Sequence, residues 1–541
     1  MPHHHFRSPL IFVLLTYIAA LAGCNSPLSV TNSSSIVSPN IYAEVQFNVS
    51  LFQSTPLQGN LFLEVIDDTT SLSLNATRYA MLPGQTSSIY ALSLPVPVGS
   101  LIKYRYVYST PDGITHTESI SKSSYRIVFV PNTLSISDTI FGWDHAPYQG
   151  DQGSIVGTVV LDSGLSVGGL IVNVAGASTQ TASDGSFILN GIPVGEQNLV
   201  VYSPSGRYRP FQQQAIIAAN AMTPAEIRLA SLPLVTVTFR VTIPPESAGL
   251  PVRIISNLDG FGNTFTELES GFNNAASLAP LLTYQADGSY SLRIQLPVGL
   301  DFRYKYSLGD GFWNSDHTAQ GEFRTRQIII PASDGFIQDV VEGWGAPSVP
   351  PYVFIVKTPP ETPATDNISI QFNAFGWTPP IPMWRVDNNT WYYRLYSPWS
   401  GMEMLNYRYC RNDQCGIADD TQTAGLIGTN RSIQAGITEY SDTITDWIGL
   451  PDEKTATSIA AGEISPRGNT FLAGVEYQTS YSPLWSPYHS AALQNIRDLN
   501  ANWVFMPIQW QYETLSPVVL NSSFGHTPNE SEIIQLGRAH V

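Results

Sequence analysis

Apolar and polar residues alternate in short runs along most of the chain. Val45-Gln46-Phe47-Asn48-Val49, Leu61-Phe62-Leu63-Glu64-Val65 and Phe302-Arg303-Tyr304-Lys305-Tyr306 put every second side chain on a common face, the period of a half-buried strand. Turn signals such as Ser183-Asp184-Gly185-Ser186 and Gly191-Ile192-Pro193-Val194-Gly195 separate such runs at short intervals. The texture changes near residue 466. Phe471-Leu472-Ala473-Gly474-Val475 reads as a short apolar strand, and Trp503-Val504-Phe505-Met506-Pro507 as a second. Between them, Ser490 to Leu499 reads as a helix with Ala491, Leu493, Ile496 and Leu499 on one stripe. Thr527-Pro528-Asn529-Glu530 then has Thr at the N-cap, Pro at N1 and Glu at N3 of a further helix. The pattern predicts a mainly β chain of tandem sandwich modules, followed by a β-α-β-α segment with a parallel sheet.

One pattern occurs three times. Lys103-Tyr104-Arg105-Tyr106 is followed 39 residues after Tyr104 by Trp143, Arg303-Tyr304-Lys305-Tyr306 is followed 40 residues after Tyr304 by Trp344, and Tyr407-Arg408-Tyr409 is followed 40 residues after Tyr407 by Trp447. Each Trp closes a similar frame: Asp138-Thr139-Ile140-Phe141-Gly142, Asp339-Val340-Val341-Glu342-Gly343 and Asp442-Thr443-Ile444-Thr445-Asp446. The unit is too long for a solenoid repeat, so it predicts three copies of one small β domain, over 42–147, 234–348 and 351–451. Alternation puts the tyrosines on one face, filling a sandwich core, and most of the intervening cations in solvent. A different β unit fills 153–231.

Charged residues are scarce at 13%, and the net charge of −17 excludes the basic face that nucleic acid and anionic lipid need. Neutral ligands such as polysaccharides remain, although acidity also serves solubility alone. Arg7 precedes an apolar run from Leu10 to Leu21, too short for a permanent membrane helix. The run ends in Leu21-Ala22-Gly23-Cys24, which resembles the bacterial lipoprotein signal. That resemblance implies removal of residues 1–23, lipidation of Cys24, a flexible tether over 24–41, and an extracytoplasmic or cell-surface protein attached to the membrane by its lipid alone. A plain secretory signal is the alternative. His3-His4-His5 lies in the segment to be removed. Cys410 and Cys415 flank a turn-like stretch, where a hairpin-tip disulfide and two free thiols both fit. Two cysteines with no histidine nearby make a poor zinc site. There is no Gly-rich phosphate loop or His/Cys cluster, so no metal and no cofactor is expected.

The three repeats resemble starch-binding domains of carbohydrate-binding module family 20, and the second carries the match best. Its strand Val235-Thr236-Val237-Thr238-Phe239-Arg240-Val241 leads to Asp287-Gly288-Ser289-Tyr290, Leu296-Pro297-Val298-Gly299, the Tyr strand, Asp310-Gly311-Phe312-Trp313, Arg324 and Trp344. The resemblance implies open-sided β-sandwiches, structural terminal tryptophans, and Trp313 stacking on glucose. An indole offers a rigid apolar plate to the C–H face of the ring, while polar neighbours bond the rim hydroxyls. Lys305 and Asn314, with Asp316 and His317, stand close in sequence to serve as the rim. Where the family has a second aromatic in a loop, repeat two has no Trp, only Phe261 and Phe265 near Gly262-Asn263, and repeat three has Trp377 of Phe375-Gly376-Trp377. Repeat one has no Trp but Trp143, and repeat three has none just after Tyr409, so no repeat shows the family's full aromatic pair.

The 153–231 unit resembles the carboxypeptidase regulatory-like family through Gly157-Thr158-Val159-Val160, Val172-Asn173-Val174, Thr181, Asp184-Gly185-Ser186-Phe187 and Pro193-Val194-Gly195. This implies a seven-strand prealbumin-like spacer. Residues 466–541 resemble the opening of a glycoside-hydrolase (β/α)8 barrel, a fold of about 250 residues. Glu476, Gln509, Gln511 and Glu513 would lie past strand ends, but the catalytic carboxylates would come from later strands, so no catalytic residue is assigned and the chain reads as a truncated form. Together these readings give a surface-anchored, monomeric α-glucan-binding protein, the front end of a glycoside hydrolase, that does not itself cleave. The alternatives are a structural or adhesive spacer without sugar affinity, and part of an active glycosidase on a β-linked polysaccharide.

Overall fold

The computed structural model describes residues 35–36, 40–52, 59–66, 77–84, 88–118, 125–163, 167–261, 279–309, 314–345, 347–373, 376–378, 380–396, 405–418, 431–448, 471–477, 489–505, 511–515, 518–521 and 533–534. Cys24 and Trp313 lie outside them, and of the helix expected after Thr527 they include Ile533 and Ile534, which are helical. The protein is mainly β. No helix among the described residues is long and apolar enough to cross a membrane.

The three repeats share one topology. In repeat one, Leu134–Ile140, Tyr42–Leu51, Ile89–Pro97 and Leu82–Pro83 form a sheet in that order, and Thr77–Ala80, Asn60–Val65 and Leu101–Ser109 build the other, with Thr115–Thr117 and Arg126–Phe129 both on the last strand. The first and last strands pair in parallel in every copy: Tyr42–Leu51 with Leu134–Ile140, Leu234–Thr242 with Gly335–Val340, and Tyr352–Lys357 with Glu439–Thr443. The alternating side chains of that first strand fill the core, as with Val45, Phe47 and Val49, or Val237, Phe239 and Val241. The 153–231 unit packs Ser186–Pro193, Gln152–Leu161 and Met222–Leu229 over Ala177–Gln180, Ile171–Val174, Gly195–Tyr202 and Phe211–Ile217.

Polar side chains bond backbone across the module boundaries. Asp301 accepts from Leu101 N at 3.0 Å, Arg303 donates to Leu101 O at 2.8 Å, and Asn40 both donates to Gln327 O and accepts from Ile329 N. Gly99 sits between repeats one and two with φ +100°, and a Cβ there would stand 2.9 Å from Ile329 Cγ2, so glycine is required twice over. The 153–231 unit bonds repeat one through Gln212 to Phe129 N, Asn198 to Ile127 O and Asn173 to Tyr125 O. An apolar cluster of Ile127, Ile171, Val200 and Tyr202 lies across the same boundary.

The C-terminal segment forms a parallel β-α-β unit: Gly474–Glu476 pairs with Trp503–Phe505, with helix His489–Asp498 between. Leu499, expected on the helix stripe, falls past its end and is 73% exposed. Gln511–Leu515 then pairs antiparallel with Val518–Asn521. A hairpin there departs from the expected β-α alternation, and no barrel closes among the described residues.

Candidate functional site

The repeated tyrosines all converge on one carboxylate per module. Tyr104 and Tyr106 donate to Asp138 Oδ2 at 2.7 and 2.8 Å. Tyr304 and Tyr306 donate to Asp339 Oδ2 at 2.9 and 2.8 Å, and Tyr407 and Tyr409 to Asp442 Oδ2 at 3.0 and 2.6 Å. An arginine completes each cluster: Arg126, Arg326 and Arg431 lie 3.1, 3.3 and 3.4 Å from those aspartates and face the ring of Tyr106, Tyr306 or Tyr409. Burial, and then the aspartate's charge, push Tyr104, Tyr106, Tyr304, Tyr306 and Tyr409 well above the ordinary phenol range. Arg126 and Arg326 have a second carboxylate in Glu118 and Asp316, whereas repeat three has Ala418 at that place. Phenol, carboxylate and guanidinium thus satisfy one another between the two sheets. The repeated motif is a core lock, and its six tyrosines offer nothing to a ligand.

Three residues expected at a sugar site are inside the protein. Phe261 is 6% exposed and packs edge-on against Phe302 at 5.2 Å. Lys305 is 1% exposed on the strand Asp301–Ser307, so the expected solvation of this strand's cations fails there. Asn314 is 0% exposed because it bonds repeat two to repeat three: its Nδ2 donates to Arg394 O at 2.7 Å and its Oδ1 accepts from Tyr396 N at 3.0 Å. None of the three reaches a surface ligand. Asn314→Ala leaves two buried backbone groups unpaired, so we expect a loss of about 1–3 kcal/mol in the unfolding of repeats two and three by calorimetry.

Trp377 is placed differently. The hairpin formed by Phe372 and Thr378, with Thr378 N donating to Phe372 O at 2.9 Å, holds it half-exposed beside the outer face of the sheet containing Ile368–Asn373 and Asn406–Arg411. The Arg408 guanidinium lies 4.1 Å over the indole and bonds Gln371 at 2.7 Å, while Gln371 donates to Thr378 O at 2.6 Å. Asn373 and Asn406 pair across the same two strands, and Ser432 donates to Asn406. An oriented indole therefore sits beside amide, guanidinium and hydroxyl groups. The terminal Trp344 and Trp447 are buried, whereas Trp143 is half-buried. Cys410 and Cys415 are joined as a disulfide between paired strands.

No protein-family model matches the chain. No curated protein matches it either. Among solved structures, it is similar to the Bacillus anthracis TIE protein at 11% identity and a TM-score of 0.15, covering 75% of this chain and 68% of that one. It is similar to a streptococcal ancillary pilin at 12% identity and a TM-score of 0.20, covering 55% and 99%. A family 15 glucoamylase from Hypocrea jecorina is 16% identical with a TM-score of 0.15, covering 20% and 18%. At these scores the likenesses carry no argument about function.

Proposed function

We propose that the chain is a surface-anchored polysaccharide-binding protein whose sugar surface lies around Trp377 in repeat three, with α-glucan as ligand. The observation that supports this is the half-exposed indole, backed by Arg408, which Gln371 holds in place, and flanked by Asn373 and Asn406. A glucose ring would stack on the indole, and its hydroxyls would bond the neighbouring amides. Attachment through a lipid on Cys24, a monomeric state, and a C-terminal β-α-β unit that opens a glycoside-hydrolase barrel belong to the same proposal.

A second reading, a rigid surface spacer without sugar affinity, is favoured by the bonds made across module boundaries by Asn40, Asp301, Arg303 and Asn314. Affinity electrophoresis of the full chain in gels with soluble starch, with glucomannan and without polysaccharide separates the two. Starch should retard the chain, and Trp377→Ala should weaken that binding by up to about tenfold. Equal mobility in all three gels sinks the sugar reading and leaves the spacer.

A further inference from the structure

We propose that repeat one carries a binding site for a divalent transition metal of the zinc class, formed by His116, Asp144 and His145. The sequence hides it, since the first histidine stands 28 residues before the aspartate. In the structure the ring Nδ1 atoms of His116 and His145 lie 3.0 and 3.1 Å from the same oxygen, Asp144 Oδ1. One ligand atom from each residue falls within 4.8 Å of the others. Two ligands at bonds of about 2.0–2.1 Å from a tetrahedral zinc stand ~3.3 Å apart, so small adjustments would admit the ion. Two imidazoles and a carboxylate are a zinc donor set, and with three protein ligands a fourth position stays open.

The site is held in place from outside. Trp143 and Ala146 exchange backbone hydrogen bonds at 2.9 Å, which puts Asp144 and His145 at the tip of a two-residue turn. Asp144 N donates to Thr117 O, and Thr117 N to Asp144 Oδ2, so the tip is docked on the strand Thr115–Thr117 that carries His116. His116 packs on Tyr108 at 4.8 Å, and Tyr108 packs edge-on against Trp143 at 4.6 Å. Such outer contacts orient metal ligands. Asp144 and His145 are exposed, so an ion has a path in.

Hydrogen bonds from two imidazoles to one carboxylate would give similar distances. The other repeats argue against a role in the fold alone. Glu118 N and Asp316 N donate to Tyr106 O and Tyr306 O, and Glu118 and Ala418 bridge to Trp143 and Trp447, so the three positions correspond. Two residues before them stand His116, Asn314 and Gly416. After the tryptophans come Asp144-His145, Gly345-Ala346 and Ile448-Gly449. The shared topology forms without the triad in two copies of three.

The test is calorimetric titration of ZnCl2 into the EDTA-stripped full chain, with His3, His4 and His5 changed to alanine so that the N-terminal triplet does not compete. One zinc per chain is expected, weakened at least about tenfold by His116→Ala and by His145→Ala. Circular dichroism in EDTA should show both variants folded like the parent. Titration of the parent with Co2+ should give the visible bands of a four-coordinate ion, a readout that needs no variant. Absence of stoichiometric zinc binding overturns the proposal, as does binding unchanged in both folded variants or a cobalt spectrum that stays that of the hydrated ion.

Discussion

Asp138→Ala will destabilise repeat one by about 3–5 kcal/mol, the range for removing one partner of a buried ion pair. The carboxylate accepts from Tyr104 and Tyr106 and pairs with Arg126, whose side chain is 4% exposed. Alanine leaves two phenols without that acceptor and the guanidinium with Glu118 as its remaining carboxylate. Asp138→Asn, which keeps an acceptor oxygen but no charge, should fall between alanine and the parent. Asp442→Ala should cost less, about 1–3 kcal/mol, because that aspartate is 20% and Arg431 18% exposed, and water replaces part of what is lost. Denaturant unfolding of the full chain, followed by calorimetry to resolve the modules, measures all three. A cost below about 1 kcal/mol for Asp138→Ala would show that the cluster does not lock the sandwich.

That lock was half legible in the sequence. Alternation placed the tyrosines on the core face, and the triplicate spacing marked three copies of one module. The frame before each Trp also contained the decisive aspartate, five residues upstream in every copy, yet spacing alone gives an aspartate no role. The aspartate sits on the last strand of one sheet, its partners on the Tyr strand of the other sheet and on the strand paired beside it, and only the fold brings them together. Sequence proximity misled in the other direction for the sugar site. Asn314 stands just after Trp313, in a polar stretch that reads as a rim. It is buried because repeat three supplies a carbonyl and an amide that satisfy it. Burial of a polar residue depends on which partner it finds across a boundary, and local pattern carries no record of that. Phe261 follows the same logic, since a loop aromatic can turn inward to Phe302 as readily as outward to a ligand. In the C-terminal segment, periodicity located the β-α-β unit and missed the hairpin at 511–521, because short apolar runs do not say whether the next strand is reached by a helix or a turn.

The same clusters set an alkaline limit on the protein. Burial and the adjoining aspartates hold the phenols of Tyr104, Tyr106, Tyr304, Tyr306, Tyr407 and Tyr409 above their ordinary values. Below about pH 10 these tyrosines are protonated in folded and unfolded chains alike, and the stabilisation is complete. Above it the unfolded chain releases protons that the folded chain retains, so stability falls as pH rises toward the folded values. Two tyrosines per repeat, protonated in the fold and ionised in the unfolded chain, give a limiting slope of about 3 kcal/mol per pH unit for each module. Such a slope, sustained over about two pH units, is comparable to the whole stability of many domains. We therefore expect the repeats to unfold cooperatively as the pH rises above about 10, with the phenolate absorbance of the clustered tyrosines rising in the same step as the loss of β-sheet circular dichroism. In Tyr104→Phe/Tyr106→Phe, repeat one should lose stability at neutral pH but unfold over a shallower alkaline slope. Phenolate signal from all 26 tyrosines emerging below pH 11 with the β-sheet signal intact would mean that the clusters ionise in place, and that the aspartate does not hold their protons.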